Sequence, residues 1–192
     1  LCGYLIEAGR PGQARGTVGT GAAMAEVSGH RTNSQVRLDQ WADPKLTALC
    51  EAISDVVRLP PEHCEPLRIL RYREGEKFDA HRDGFTDYQP VDLQMRAEGG
   101  QRLFTALCYL NDVEDGGETL FPQLKIAVRA RRGRLMVFSN TVAGTDEVHP
   151  HADHAGALVI AGEKWVASSF WRQSLWHQPR TYPANTSETL TF

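Results

Sequence analysis

A chain of 192 residues is long enough to bury one core and lies within the size range of a single domain, so residues 1–192 are read as one unit. A formal charge of -3 with 23% charged residues leaves no basic footprint for nucleic acid. Apolar runs such as Leu135 to Phe138 and Ala157 to Ala161 are far shorter than the roughly 20 residues that span a bilayer, so no membrane role is expected.

Leu1 to Ala8 reads as a short amphipathic helix, and the Gly- and Ala-rich run from Gly9 to Gly29 reads as loop. Asp43-Pro44 then offers a cap residue followed by proline at the first helical position. Leu46, Leu49, Cys50, Ile53, Val56 and Val57 recur behind it at helical spacing, and Pro60-Pro61 ends the helix near Leu59. Beyond Pro66 the texture changes to short runs separated by Gly-containing turns. The predicted strands are Leu67 to Tyr72, Lys77 to Asp83, Leu103 to Leu110, Ile126 to Ala130, Arg134 to Ser139, Leu158 to Ile160 and Lys164 to Leu175. Such a succession predicts an antiparallel sandwich or barrel with helices only on its N-terminal side. Thr86 to Gln101 reads as a substrate-facing loop, and the Pro-containing tail from Gln178 to Phe192 as irregular chain. Cys2, Cys50, Cys64 and Cys108 form no CxxC pair and are read as reduced thiols of a cytoplasmic protein. No signal peptide is visible, although the chain begins at Leu1.

The most informative local pattern is His81-Arg82-Asp83. Residues two apart on an extended strand point to one side, so the His81 imidazole and the Asp83 carboxylate can address one ion. A third ligand has to come from elsewhere, and the stretch Glu147 to Gly156 supplies His149, His151 and His154. Two imidazoles and a carboxylate on one face of an octahedral iron leave adjacent positions open for an oxo-acid and dioxygen. By spacing alone the pattern is weak: HxD recurs by chance, Asp83 suits a turn before Gly84, and the three histidines suit a solvated stretch.

Three ordered motifs sharpen it. LRILRYREGEKFDAHRD from Leu67 to Asp83, RLFTALCYLNDVEDGGETLFP from Arg102 to Pro122, and HAGALVIAGEKW from His154 to Trp165 resemble successive segments of the prolyl 4-hydroxylase family of Fe(II)- and 2-oxoglutarate-dependent dioxygenases. The resemblance covers roughly Arg31 to Arg172. It implies a mainly β fold, a double-stranded β-helix (jelly roll, cupin-like) with its core at about 66–176 and N-terminal supporting helices. It implies His81, Asp83 and His154 as iron ligands and catalytic centre, His154 being preferred because it opens the HxG element. Lys164 falls where that family places its cosubstrate-binding lysine, and a carboxylate buried in a barrel needs such a counter-charge. Tyr72 and Tyr109 would flank the 2-oxoglutarate, with Thr119 supporting the same pocket. Thr105 and Leu107 share the face of Tyr109, and Arg172 shares that of Lys164, where it meets substrate or a neighbouring acid.

The implied reaction is hydroxylation of an unactivated C–H bond by dioxygen, coupled to release of succinate and CO2. Asp83 fills the position that related halogenating enzymes leave vacant. A prolyl or other peptidyl substrate is the first expectation, with Arg31-Thr32-Asn33-Ser34 as a substrate-side element and ascorbate as reductant. The alternatives are a hydroxylase of a free amino acid or small molecule, a metal-dependent hydrolase, and a noncatalytic β-barrel binding module. Oligomeric state is not legible in the sequence.

Overall fold

The computed structural model describes residues 1–20, 23–86 and 90–176. Helix α1 (Cys2–Gly9) is followed by strands β1 (Ala14–Arg15), β2 (Thr17–Thr20), β3 (Ala23–Val27) and β4 (Ser34–Leu38). The stretch expected to be loop is therefore largely strand. β2 and β3 pair as a hairpin with Thr17 opposite Val27, and β1 pairs with β4. The β-branched Thr17, Val18 and Val27 suit that hairpin, whereas the interspersed Gly and Ala residues erase any readable alternation.

Helix α2 (Pro44–Val57) forms as its sequence predicts. The Asp43 carboxylate accepts from the backbone N–H of Lys45 at 2.8 Å and of Leu46 at 3.4 Å. At the other end Arg58 turns left-handed with φ of 59°, and the two prolines prevent continuation. Leu46, Leu49, Cys50, Ile53 and Val57 are buried, while Val56 faces outward.

The remaining chain builds an antiparallel double-stranded β-helix. One six-stranded sheet runs β1-β4-β5-β14-β7-β11, with β5 (Leu67–Tyr72), β7 (Arg102–Tyr109), β11 (Leu135–Ser139) and β14 (Lys164–Arg172). A four-stranded sheet runs β10-β9-β12-β6, from β6 (Phe78–His81), β9 (Thr119–Phe121), β10 (Ile126–Val128) and β12 (His154–Gly156). A small pair joins β8 (Asp115–Gly116) to β13 (Val159–Ala161). Gly116 sits at φ of +72°, and a Cβ there would lie 2.3 Å from the Leu158 carbonyl oxygen, so this ladder needs glycine.

Alternation sorts the six-stranded sheet into two faces. Leu67, Ile69, Ala106, Cys108, Trp165, Ala167 and Trp171 point outward into a core shared with Leu5 of α1 and the buried face of α2. Leu70, Tyr72, Leu107, Tyr109 and Val166 point inward. With both faces covered, every residue of β14 is buried.

Several boundaries differ from expectation. β6 ends at His81, so Asp83 lies two residues past the strand. β14 stops at Arg172 rather than Leu175. β8, β9 and β12 are two or three residues long, too short to leave a pattern. Helix α3 (Pro90–Ala97) occupies the segment expected to be a loop and interrupts the strands, so helices are not confined to the N-terminal side. It buries no residue, which explains its polar, strandless texture. The tail expected to be irregular lies outside the described residues. Among the described residues no helix is long and apolar enough to cross a membrane.

Candidate metal centre and its cavity

β6 and β12 are antiparallel neighbours, and their register sets His81 directly opposite His154. Both imidazoles therefore project from one face of the same ladder, with ring centroids 4.3 Å apart. Phe78 stacks on His81 at 3.6 Å, and Phe138 meets the His154 ring edge-on at 4.7 Å. The Nδ1–H of His81 donates to the Asp79 carbonyl at 2.8 Å, and that of His154 to the Ala152 carbonyl at 3.0 Å. A carbonyl can only accept, so in the neutral form of each ring the lone-pair nitrogen is Nε2, which faces their shared space.

Asp83 completes the group. Its Oδ1 lies 3.6 Å from His81 Nε2 and its Oδ2 3.4 Å from His154 Nε2. One ligand atom from each of the three residues falls within 4.8 Å of the others, the only such cluster of metal-binding groups among the described residues. The Thr105 hydroxyl donates to Asp83 Oδ2 at 2.7 Å and itself receives the Asn140 side-chain N–H at 2.9 Å. Burial opposes the charge on Asp83, but His154, His81, Arg102 and the Thr105 bond together hold its carboxyl below the ordinary range. Burial also holds His81 neutral down to about 4. A carboxylate oxygen and two imidazole nitrogens are a donor set that suits a divalent cation.

These residues open on a cavity of about 590 Å³ that runs between the two sheets. Lys164 lies on its wall, 2% exposed, with Nζ 5.1 Å from the Tyr72 ring centre and 5.6 Å from that of Tyr109. Among the described residues no hydrogen bond or ion pair reaches that ammonium, and burial pushes it down to about 8. A buried, unpaired cation facing a cavity matches the far carboxylate of 2-oxoglutarate, so the residues present fit that cosubstrate. Tyr72 lines the same wall and packs beside Gly156, where a Cβ would come within 3.4 Å of its ring. Burial drives the Tyr72 phenol up to about 12, which keeps it a hydrogen-bond donor. Thr119 reaches the cavity, whereas Tyr109 stands behind it and donates its O–H to the Thr119 hydroxyl at 2.7 Å.

The remaining histidines lie elsewhere. His149 and His151 border a separate small recess with Phe121 and Phe138, where the His151 backbone N–H donates to the His149 ring at 3.1 Å.

One cluster was foreshadowed in the sequence only at Arg172. Glu65, 2% exposed, accepts from Arg102 Nε at 2.6 Å, Arg102 Nη2 at 2.9 Å, Arg68 Nη2 at 2.9 Å and Arg172 Nη1 at 3.1 Å. Arg172 thus meets a neighbouring acid, one of its two expected partners. Arg102 also donates to the Asp83 carbonyl at 3.4 Å, tying the cluster to the turn that carries Asp83. The available signal was three arginines within otherwise apolar strands, a pattern that requires a buried acid.

Burial opposes the Glu65 charge, yet the three guanidinium groups hold its carboxyl down at about 2, against an ordinary value of 4.5. A depressed carboxyl stabilises the fold fully above 4.5 and loses that contribution as pH falls towards 2. Glu65→Gln leaves buried cations facing one another, so it should cost about 3–5 kcal/mol at neutral pH. Urea unfolding should show that loss, and the gap from wild type should narrow in acid; a variant of wild-type stability would contradict the role.

Residues 67–172 match the 2OG-Fe(II) oxygenase superfamily. The chain belongs to that family. It is 34% identical to a probable prolyl 4-hydroxylase 10 of Arabidopsis thaliana over 89% of its length and 64% of the relative's. It is 30% identical to prolyl 4-hydroxylase 2 of the same plant over 97% of its length and 68% of the relative's. The chain therefore spans about two thirds of these plant proteins. Among solved structures, a viral collagen prolyl hydroxylase of Paramecium bursaria Chlorella virus-1, in a 2-oxoglutarate complex, superposes with a TM-score of 0.69 at 24% identity, covering 89% of this chain and 88% of that one. A Trichoplax adhaerens prolyl hydroxylase bound to a hypoxia inducible factor peptide gives 0.62 at 15% identity, covering 89% and 74%. At these identities the structural likeness establishes the fold, the double-stranded β-helix of prolyl hydroxylases.

Proposed function

We propose that this chain is an Fe(II)- and 2-oxoglutarate-dependent dioxygenase that hydroxylates a prolyl or other peptidyl C–H bond and releases succinate and CO2. The observation that carries the proposal is the buried, unpaired Lys164 ammonium in the same cavity as the His81, Asp83 and His154 cluster. A metal-dependent hydrolase would use the three ligands but has no need of that lysine, and a binding module needs neither.

In this reading His81, Asp83 and His154 hold the iron, with His81 and His154 oriented by the carbonyls behind them. Lys164 pairs with the far carboxylate of 2-oxoglutarate, aided by Tyr72 and by Thr119, which Tyr109 supports. Iron with 2-oxoglutarate supplies the oxidising power: one oxygen atom of dioxygen enters the C–H bond and the other enters succinate. Because Asp83 fills the carboxylate position, hydroxylation is favoured over halogenation.

The plant relatives are named as prolyl 4-hydroxylases and the Trichoplax neighbour holds a peptide, which supports a peptidyl target over a free amino acid or small molecule. One domain over residues 1–192 with its core at about 66–176, a cytoplasmic setting for the four free cysteines, and ascorbate as reductant belong to the same proposal. Protein loaded with Fe(II), 2-oxoglutarate and ascorbate in air should form succinate in step with a peptide gaining one oxygen. Iron-loaded protein that makes no succinate with any peptide or amino acid offered would sink the assignment.

A further inference from the structure

The cavity has a second polar region on β4 and β5. The register of these strands sets Arg37 directly opposite Arg68, and the next strand sets Ser168 opposite Arg68. All three line the cavity. Like charges directly opposite across a sheet oppose pairing, so this arrangement costs stability unless something between them is negative.

The chain supplies little of that negative charge. Arg68 is largely buried, gives one nitrogen to Glu65, stacks at 4.5 Å over Phe170, and leaves its Nε buried without a partner. Glu65 is shared among Arg68, Arg102 and Arg172. Arg37 has no hydrogen bond or ion pair with another described residue. Arg31, which also lines the cavity, is 6% exposed and spends its donors on neutral oxygens: Asn33 Oδ1, Gln35 Oε1 and the Thr17 carbonyl, each at 2.9 Å. Burial and then the Arg102 charge work hardest against ionisation of Arg68, with Arg37 and Arg31 adding to them. The other acids of the cavity wall are committed elsewhere. Asp83 belongs to the metal centre, Asp92 receives the Thr86 N–H and O–H, and Glu98 lies towards Arg172.

We propose that the Arg37–Arg68–Ser168 row receives a carboxylate, so that the substrate is a peptide carrying an Asp or Glu side chain beside the residue to be hydroxylated. The inference rests on the peptidyl reading given above and narrows it. Two guanidinium groups and a hydroxyl form a planar-anion receptor, and a substrate carboxylate would relieve the repulsion between opposing arginines. The same receptor could take a free chain-terminal carboxylate, so the test separates the two sources.

The probes are acetylated, amidated proline peptides in which Glu or Gln is placed in turn at each of the two positions before and after the proline. They would be titrated calorimetrically, without oxygen, into protein loaded with Fe(II) and 2-oxoglutarate. At one position Glu should bind about ten- to a hundredfold more tightly than Gln, the worth of a charge-assisted contact. Arg37→Gln, on an exposed side chain that leaves the Glu65 cluster intact, should remove most of that preference, as should Arg68→Gln if it folds. Equal affinity for Glu and Gln, binding of neither, or a preference that survives Arg37→Gln overturns the inference. So does a neutral peptide that binds better only when its C-terminus is a free carboxylate. Tight, Arg37-dependent binding of the Glu peptide with no oxygen gained in air would leave the carboxylate receptor standing and sink the hydroxylase reading instead.

Discussion

His154→Ala is expected to collapse Fe(II) affinity and coupled turnover together, while His149→Ala and His151→Ala keep most of both. His154 is 5% exposed and opposite His81, its Nδ1 fixed by the Ala152 carbonyl and its Nε2 beside Asp83. Removing one of three protein ligands should cost more than the roughly 10–100-fold loss that follows removal of an outer partner. His149 and His151 have no such neighbours; His151 shares a bond with Gln123 at the rim of the separate recess. Fe(II) titration under nitrogen, alongside circular dichroism, separates loss of metal from loss of fold. Near-normal iron affinity in a folded His154→Ala protein, with loss in either neighbour, would move the ligand to the other histidine.

Lys164→Ala should raise the 2-oxoglutarate dissociation constant by about 30- to 5000-fold and leave Fe(II) binding within a few-fold of wild type. Truncating one partner of a buried charge pair costs about 2–5 kcal/mol, because the other charge stays buried and unpaired. The lysine gives the wild type a pH signature as well. Burial holds its ammonium down at about 8, so cosubstrate affinity should be steady below that pH and weaken above it as the proton is lost. The variant should lack that weakening. Equal affinities in the two proteins, read from the anaerobic absorption band of the iron complex, would reject the pairing.

How far the sequence could be read follows from which interactions leave a local trace. β5 falls where alternation places it, and α2 starts at a capping aspartate and stops before two prolines, each a signal contained in a few neighbouring residues. HxD brought His81 and Asp83 together, although the aspartate reaches the site from beyond the strand end and is held by Thr105 and Arg102 instead of by alternation. Choosing His154 over His149 and His151 took the family motif; the physical reason, its register opposite His81, exists only once β6 and β12 pair. Glu65 stayed hidden for the same reason. Its partners Arg102 and Arg172 are 37 and 107 residues away in the chain. The hairpin of β2 and β3 was missed because glycine and alanine carry no alternation, and α3 because it buries nothing.

The central place of β14 bears on how the chain reaches its native state. It lies between β5 and β7, with Lys164 opposite Tyr72 and Ser169 opposite Ala106. During synthesis those two earlier strands emerge well before it, and each must wait with an unpaired edge. The sheet closes only after the ribosome has released the last described strand, so folding is tied to long-range pairing and is slow by topology. The strand that closes the sheet also carries Lys164. The cavity therefore gains its buried lysine in the same step that completes the sheet.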